Sequence, residues 1–312
     1  MTDINLITVL GPTAAGKTKL AARLAYEVGS DVISADSRQV YREMDMGTGK
    51  DYDDYLVHGK RVTAHLVDIV DPGYQYNVYE YQQDFLEIFE LLQNAGKIPV
   101  LCGGTGMYIE AVLKGYRLIQ VPENNRLRKE LQDVPNEHLV LKLKSFKKLH
   151  NTTDITQRKR LIRAIEIETY YAEHPKTDAG YPDIQPFIVG VRVDRETRRK
   201  RITERLNKRL KEGMVDEVQR LLDRGVDKNI LIYYGLEYKF ITQYLLGHLT
   251  HEQMVDKLNT AIHQFAKRQM TWFRGMEKRG FKIFWIDGLL PFREQVYIVL
   301  DQLSRSGVNS DF

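Results

Sequence analysis

Eight consecutive residues constrain this chain more than any others. Gly11, Pro12, Thr13, Ala14, Ala15, Gly16, Lys17 and Thr18 fit the pattern G-x-x-x-x-G-K-[ST] at every position. The run lies between a short apolar stretch, NLITVL at 5–10, and a segment at 17–28 where Leu20, Leu24 and Val28 recur at helical spacing. In that setting the backbone N–H groups of the loop close around phosphate oxygens, and the following helix N-terminus adds the positive end of its dipole. Lys17 supplies a point charge, and the Thr18 hydroxyl is placed to hold Mg²⁺. A strand, loop and helix of this kind commit the chain to an α/β sheet and to a bound di- or triphosphate. They do not say what becomes of the phosphate.

The rest of the first hundred residues keeps the same rhythm. A second strand is expected at 31–35 (DVISA), an aromatic-rich helix at 78–95 ended by Gly96, and a third strand at 98–102 (IPVLC). Gly103, Gly104, Thr105 and Gly106 follow, then a helix to Leu113. From about Val121 the pattern changes. Segments 124–131, 136–144 and 157–171 read as helices with no strand among them, and 174–186, rich in Pro, Gly and Asp, reads as a loop. A strand returns at 187–193 (FIVGVRV), helices follow at 196–212, 215–224, 238–246 and 250–276, and a last strand is expected at 281–286. The expected fold is therefore α/β: a P-loop NTPase-like parallel sheet flanked by helices, built from 1–120 and 187–312, with an all-helical inserted domain at 121–186.

Composition narrows the setting. A length of 312 residues suits two domains, or one large domain with an insertion. The single cysteine, Cys102, excludes a disulfide scaffold, fits a reducing compartment, and is expected to be packed in its strand. No apolar run approaches the ~20 residues that span a bilayer. The start, MTDINLITVLGPT, has no basic segment ahead of its apolar run, so it reads as a strand and not as a signal peptide. A cytoplasmic protein without membrane contact is expected, and a monomer. The histidines show no ligand spacing, so no zinc is expected. The net charge of +4 is unremarkable, but its distribution is not. Residues 142–163 hold eight Lys/Arg against one acid, and 192–211 hold ten against three, which suits either solvated helix faces or an anionic partner.

Nucleotide-cleaving P-loop proteins carry an acid at the end of a neighbouring strand. Here the nearest candidate is Asp36, after VISA, with Asp68 and Asp194 weaker ones. Asp36 is followed by Ser37, Arg38 and Gln39, polar groups at the strand end where open α/β sheets bind ligands. An acid in that position also serves as a turn or cap residue.

Five segments then occur in order: GPTAAGKT (11–18), DSRQVYREMDMGT (36–48), GGTGMY (103–108), KRLIRAIE (159–166) and AKRQMTWFR (266–274). Together they resemble the tRNA dimethylallyltransferases, also called tRNA isopentenyltransferases, from about Ile7 to Ile286. The resemblance implies transfer of a dimethylallyl group from dimethylallyl diphosphate to N6 of adenosine 37, next to the anticodon, in tRNAs reading codons that start with U. An A36-A37-A38 context is implied with it. On that reading the loop holds a prenyl diphosphate, and Thr13, Lys17, Thr18 with Mg²⁺, and Arg205 meet the charge that grows on the leaving group. Asp36 orients the acceptor amine or takes its proton. Thr105 lies at the substrate, and is also the natural N-cap of its helix.

The RNA side is implied at Asp36, Ser37, Arg38, Gln39, Lys159, Arg160, Arg163, Lys267, Arg268 and Gln269, with the 142–148 lysines adding phosphate contacts. Arg160 and Arg163, three apart, share a helix face. Trp272 and Phe273 suit core packing or base stacking. One segment departs from the family: Tyr234-Gly235-Leu236-Glu237-Tyr238-Lys239 has Glu237 where members commonly have glycine before Tyr-Lys/Arg. The alternatives are an adenylate isopentenyltransferase using free AMP, ADP or ATP, a small-molecule P-loop kinase whose lid is the 192–211 stretch, and a nucleotide-dependent RNA-binding protein. The basic insertion and the AKRQ segment favour RNA over a free nucleotide.

Overall fold

The computed structural model describes residues 4–146, 153–174 and 180–306. Its larger part is built on β1 (Leu6–Leu10), whose five residues are all buried. Alternation along the strand sends Leu6 and Leu10 into one apolar layer, and Ile7 and Val9 into the other. A strand covered on both faces must be nearly all apolar, which is why LITVL carries no charge.

The chain continues through α1 (Lys17–Glu27), β2 (Val32–Ala35), a 3₁₀ turn at Tyr52–Tyr55, a hairpin of β3 (Leu56–Val57) and β4 (Lys60–Arg61), and β5 (Ala64–His65). Next come α2 (Val78–Asn94), β6 (Val100–Gly103) and α3 (Gly106–Leu113). Asn77 and Glu80 form a reciprocal capping box at the start of α2. Helices α4 (Asn125–Leu131), α5 (Asn136–Phe146), α6 (Thr153–Thr156) and α7 (Arg158–Glu173) follow. Then come β7 (Pro186–Arg192), α8 (Arg195–Lys211), α9 (Met214–Asp223), α10 (Lys228–Tyr234), α11 (Leu236–Leu245), α12 (His251–Lys278), β8 (Ile283–Asp287) and α13 (Phe292–Arg305).

Six strands form one sheet in the order β5-β2-β6-β1-β7-β8, every pair parallel. The order reverses at β1, which lies between β6 and β7. The loops after β1, β2 and β6 therefore emerge together at the carboxyl edge, where open sheets of this kind bind ligands. One apolar layer packs α1 and α13 against the sheet, and the other packs α2, α3, α8, α9, α11 and α12.

The third strand starts two residues later than the apolar run suggests. Pro99 has no N–H to give a ladder, although its carbonyl accepts from Ile7 N–H at 3.0 Å. The two-residue strands, α6, α10 and α13 lie outside the expected elements. Two residues carry no periodicity, but α13 had signals: Pro291 at its entry and buried Val296, Val299 and Leu303 at helical spacing.

Residues Arg117–Pro182 make a second compact unit. Its core is Leu127, Leu131, Leu139, Leu143, Leu161, Ala164 and Ile165. The buried carboxylate of Glu166 accepts two bonds from Arg128, each 3.0 Å, and others from Arg163 and the Asn124 N–H. Burial alone would raise its pKa, but the bonds from Arg128, Arg163 and Asn124 outweigh that and hold the carboxyl below its ordinary value. A lowered folded pKa stabilises fully above the unfolded value, and the gain is lost as pH falls through the folded one. Glu166→Gln should therefore lower stability by about 1–3 kcal/mol near neutral pH, with the gap from wild type closing below about pH 4. Amide exchange of α7 at the two pH values reads this, and equal protection near neutral pH would show that the cluster contributes nothing.

Candidate active site

At the end of β1 the chain turns through the phosphate loop. Gly16 takes the left-handed φ of +86° as it enters α1, a conformation that suits glycine. Beside it is a cavity of about 300 Å³, lined by Thr13, Lys17, Thr18, Asp36, Arg201 and Arg205 among others. These residues come from the loop after β1, the start of α1, the loop after β2 and α8, so chain segments some 190 residues apart meet in one space.

On the phosphate side, the Arg205 guanidinium donates to the Thr13 hydroxyl. Burial, and then the neighbouring Arg209, pull the Arg205 pKa below its usual value, while Asp51, Glu237 and Asp36 oppose them. Its helix is turned by Ile202 and Leu206, both buried, which leaves Arg201 and Arg205 toward the cavity. Thr18, Asp36 and Asp54 bring hard oxygen donors to the same cavity, a donor set that suits Mg²⁺ beside a diphosphate.

On the other side, Asp36 ends β2. Its Oδ1 accepts the Arg38 N–H at 3.0 Å, so it is a turn acid as well as a cavity residue. Ser37 donates its N–H to Thr105 Oγ1 at 3.1 Å. Thr105 occupies the N-cap position of α3, yet its hydroxyl makes no capping bond and is turned to Ser37 instead. The loop after β2 is thus tied to the loop after β6.

The remaining wall was not anticipated. Glu217, on the apolar face of α9, accepts the N–H groups of Asp45, Met46 and Gly47 at 3.0, 2.8 and 3.1 Å, and the Tyr238 hydroxyl at 2.6 Å. Lys50 is buried and donates to the Tyr41 carbonyl and to Asp45 and Asp68. This pairing removes Asp68 from the candidate acids, and Asp194 is the N-cap of α8, accepting from Thr197 N–H at 2.9 Å. The braced loop delivers Thr48, Gly49, Asp51 and Asp54 to the cavity. Asp51 pairs with Arg209 at 2.8 Å. Burial, and then Asp51, raise the Asp54 pKa. Cys102 also lines the cavity, and burial pushes its thiol up to about 12, so it stays protonated.

Of the residues expected to face RNA, Lys159, Arg160, Lys267 and Arg268 are exposed, as are Lys142 and Lys144; Lys147 and Lys148 lie outside the described residues. Others are engaged within the protein. Arg163 does not share the free face of Arg160: its guanidinium is held by Glu166 and by the Val121 and Pro122 carbonyls. Gln39 donates to the Gly49 carbonyl at 3.2 Å. Gln269 is buried, with both amide atoms bonded inside the chain. Phe273 is buried, and Trp272 packs against the core. Arg38 lies over the ring of Tyr233, an exposed aromatic that the sequence reading passed over. Glu237 lines a small space with Arg205 and Arg209, and Tyr238 is buried on Glu217.

A phosphate loop at the switch point of a parallel sheet, with three carboxylates and two arginines around one cavity, defines an α/β enzyme of the P-loop kind. A family model described as IPP transferase matches residues 39–276, and one described as Isopentenyl transferase matches 4–70. The chain is 56% identical over 303 residues to tRNA dimethylallyltransferase 2 of Bacteroides fragilis, covering 97% of this chain and 99% of that one. It belongs to the IPP transferase family. The solved tRNA isopentenylpyrophosphate transferase of Bacillus halodurans is 29% identical, with a TM-score of 0.72 and coverage of 97% and 96%. A eukaryotic dimethylallyltransferase acting on tRNA gives a TM-score of 0.77 at 18% identity, covering 97% of this chain and 80% of that one, a likeness of fold.

Proposed function

We propose that this chain moves a dimethylallyl group from dimethylallyl diphosphate to N6 of adenosine 37 in tRNA. The C–O bond to the allylic carbon breaks, the C–N bond forms, the N6 proton passes to Asp36, and diphosphate leaves. One observation carries this reading: Asp36 shares a single cavity with the phosphate loop and Arg205. A weakly basic exocyclic amine needs orientation and a proton acceptor, and the leaving group needs fixed positive charge. Lys17, Arg205 and the loop N–H groups supply that charge. Mg²⁺ held at Thr18 would neutralise more of it.

The relatives' names favour tRNA over free AMP, ADP or ATP as acceptor. The single cysteine is consistent with a reducing cytoplasmic setting, and among the described residues no helix is long and apolar enough to cross a membrane. The test is incubation with dimethylallyl diphosphate, Mg²⁺ and either bulk tRNA or AMP, followed by mass spectrometry of the digested products. A prenyl group on AMP and none on tRNA would overturn the reading.

The inserted unit, expected at 121–186 and compact over Arg117–Pro182, we assign to tRNA binding. Lys159 and Arg160 are its exposed cations on α7, whereas Arg163 braces the unit. Neutralising Lys159 and Arg160 together should weaken tRNA binding and flatten its salt dependence, with a slope change of up to about two. Affinity for dimethylallyl diphosphate should stay unchanged. Parallel salt lines of equal affinity would make these residues an ordinary solvated face.

A further inference from the structure

Gln269 occupies a place that an RNA contact does not need. It lies on the buried stripe of α12, between Ala266 and Phe273, and is 7% exposed. Its Oε1 accepts the Thr13 N–H at 2.9 Å, and its Nε2 donates to the Gly104 carbonyl at 2.9 Å. One acceptor and one donor are needed at fixed positions, which a primary amide supplies and a carboxylate or an ammonium does not. Each partner is one step from the site. The Thr13 hydroxyl accepts from Arg205. Gly104 precedes Thr105, whose hydroxyl accepts the N–H of Ser37, next to Asp36. Gly104 is matched to the same contact, since a Cβ there would stand 2.4 Å from Nε2.

We propose that Gln269 is a positioning residue that holds the diphosphate loop in register with the acceptor loop. The inference rests on the prenyl-transfer reading above. The loops after β1 and β6 leave different strands, and no covalent neighbour sets their spacing. The Gln269 side chain bonds the backbone of both, satisfying an N–H and a C=O at the point where donor and acceptor must be aligned. A misplacement of about 1 Å at such a point costs on the order of 10²-fold in rate. Lys267 and Arg268, just before Gln269, are exposed and remain open to RNA contact.

The test compares wild type with Gln269→Met, which keeps the length of the side chain and removes both bonds, and with Gly104→Ala, which displaces the amide from the other side. Single-turnover transfer at saturating tRNA, tRNA affinity across a salt series, affinity for inorganic diphosphate, and Tm are measured. Both variants should transfer about 10²-fold more slowly, with tRNA affinity and salt slope as in wild type. Diphosphate binding should weaken about tenfold. Wild-type rates in Gln269→Met, or lost tRNA affinity with an intact rate at saturation, would overturn the proposal. If Gln269→Met does not fold, Gly104→Ala decides: the same slow transfer supports the strut, and a wild-type rate overturns it. If wild type itself does not prenylate tRNA, the functional reading fails, and diphosphate affinity alone decides on Gln269, unchanged affinity refuting it.

Discussion

Asp36→Asn should bind tRNA as tightly as wild type and transfer the prenyl group roughly 10²–10⁴ times more slowly. The substitution is chosen for what it leaves intact. Asp36 Oδ1 accepts the Arg38 N–H at 3.0 Å, and an asparagine oxygen can do the same. The turn after β2 survives, and with it the Ser37–Thr105 bond. What is lost is the anionic oxygen that would take the N6 proton as the C–N bond forms. Single-turnover transfer separates the two functions of the residue, because binding is complete before the step is read. A near-wild-type rate would leave Asp36 as a turn acid and move proton transfer elsewhere.

Arg205→Ala should lower turnover by roughly 10²–10³ and change tRNA affinity by much less. The guanidinium is half-buried beside Arg209, and its bond to the Thr13 hydroxyl carries no charge to balance it. Among the described residues no carboxylate pairs with it at ion-pair distance, and Lys17 and Arg201 line the same cavity. Such a concentration of positive charge is costly until an anion enters, and it acts most strongly when that anion gains charge. Turnover at saturating tRNA is therefore the quantity that falls. If tRNA affinity collapses and turnover at saturation survives, Arg205 is part of the RNA surface.

Three residues show where the reading of the chain stops. Gln269 and Glu217 each stand on the apolar stripe of a helix, flanked by buried residues at spacings of three and four, and Glu166 is buried directly after Ala164 and Ile165. The anomaly is legible: a polar group in a buried stripe must find a partner or carry a desolvation penalty. The partner is not legible. Glu217 bonds backbone some 170 residues earlier, and Gln269 reaches Thr13 across 256 positions. Arg163 makes the same point in reverse. Spacing groups it with Arg160, but spacing says nothing of the carbonyls and the carboxylate that hold it.

Local physics is written into the order of the residues. A strand buried on both faces must be apolar, a phosphate loop needs glycine at its left-handed turn, and amphipathic helices need a stripe. From these the parallel sheet, the loop at the end of β1 and the carboxylate at the end of β2 could be read. Tertiary structure alone decided which loops became neighbours. Strand order sets β6 and β7 on either side of β1, and so brings Asp36, Thr105, Thr13 and Arg205 to one edge. It also turned Gln269, expected to face RNA, inward, because Ala266, Gln269 and Phe273 share the face of α12 that the core covers. Side-chain partners across such distances depend on how packed layers align. That alignment is a property of the whole fold, and no local window of residues contains it.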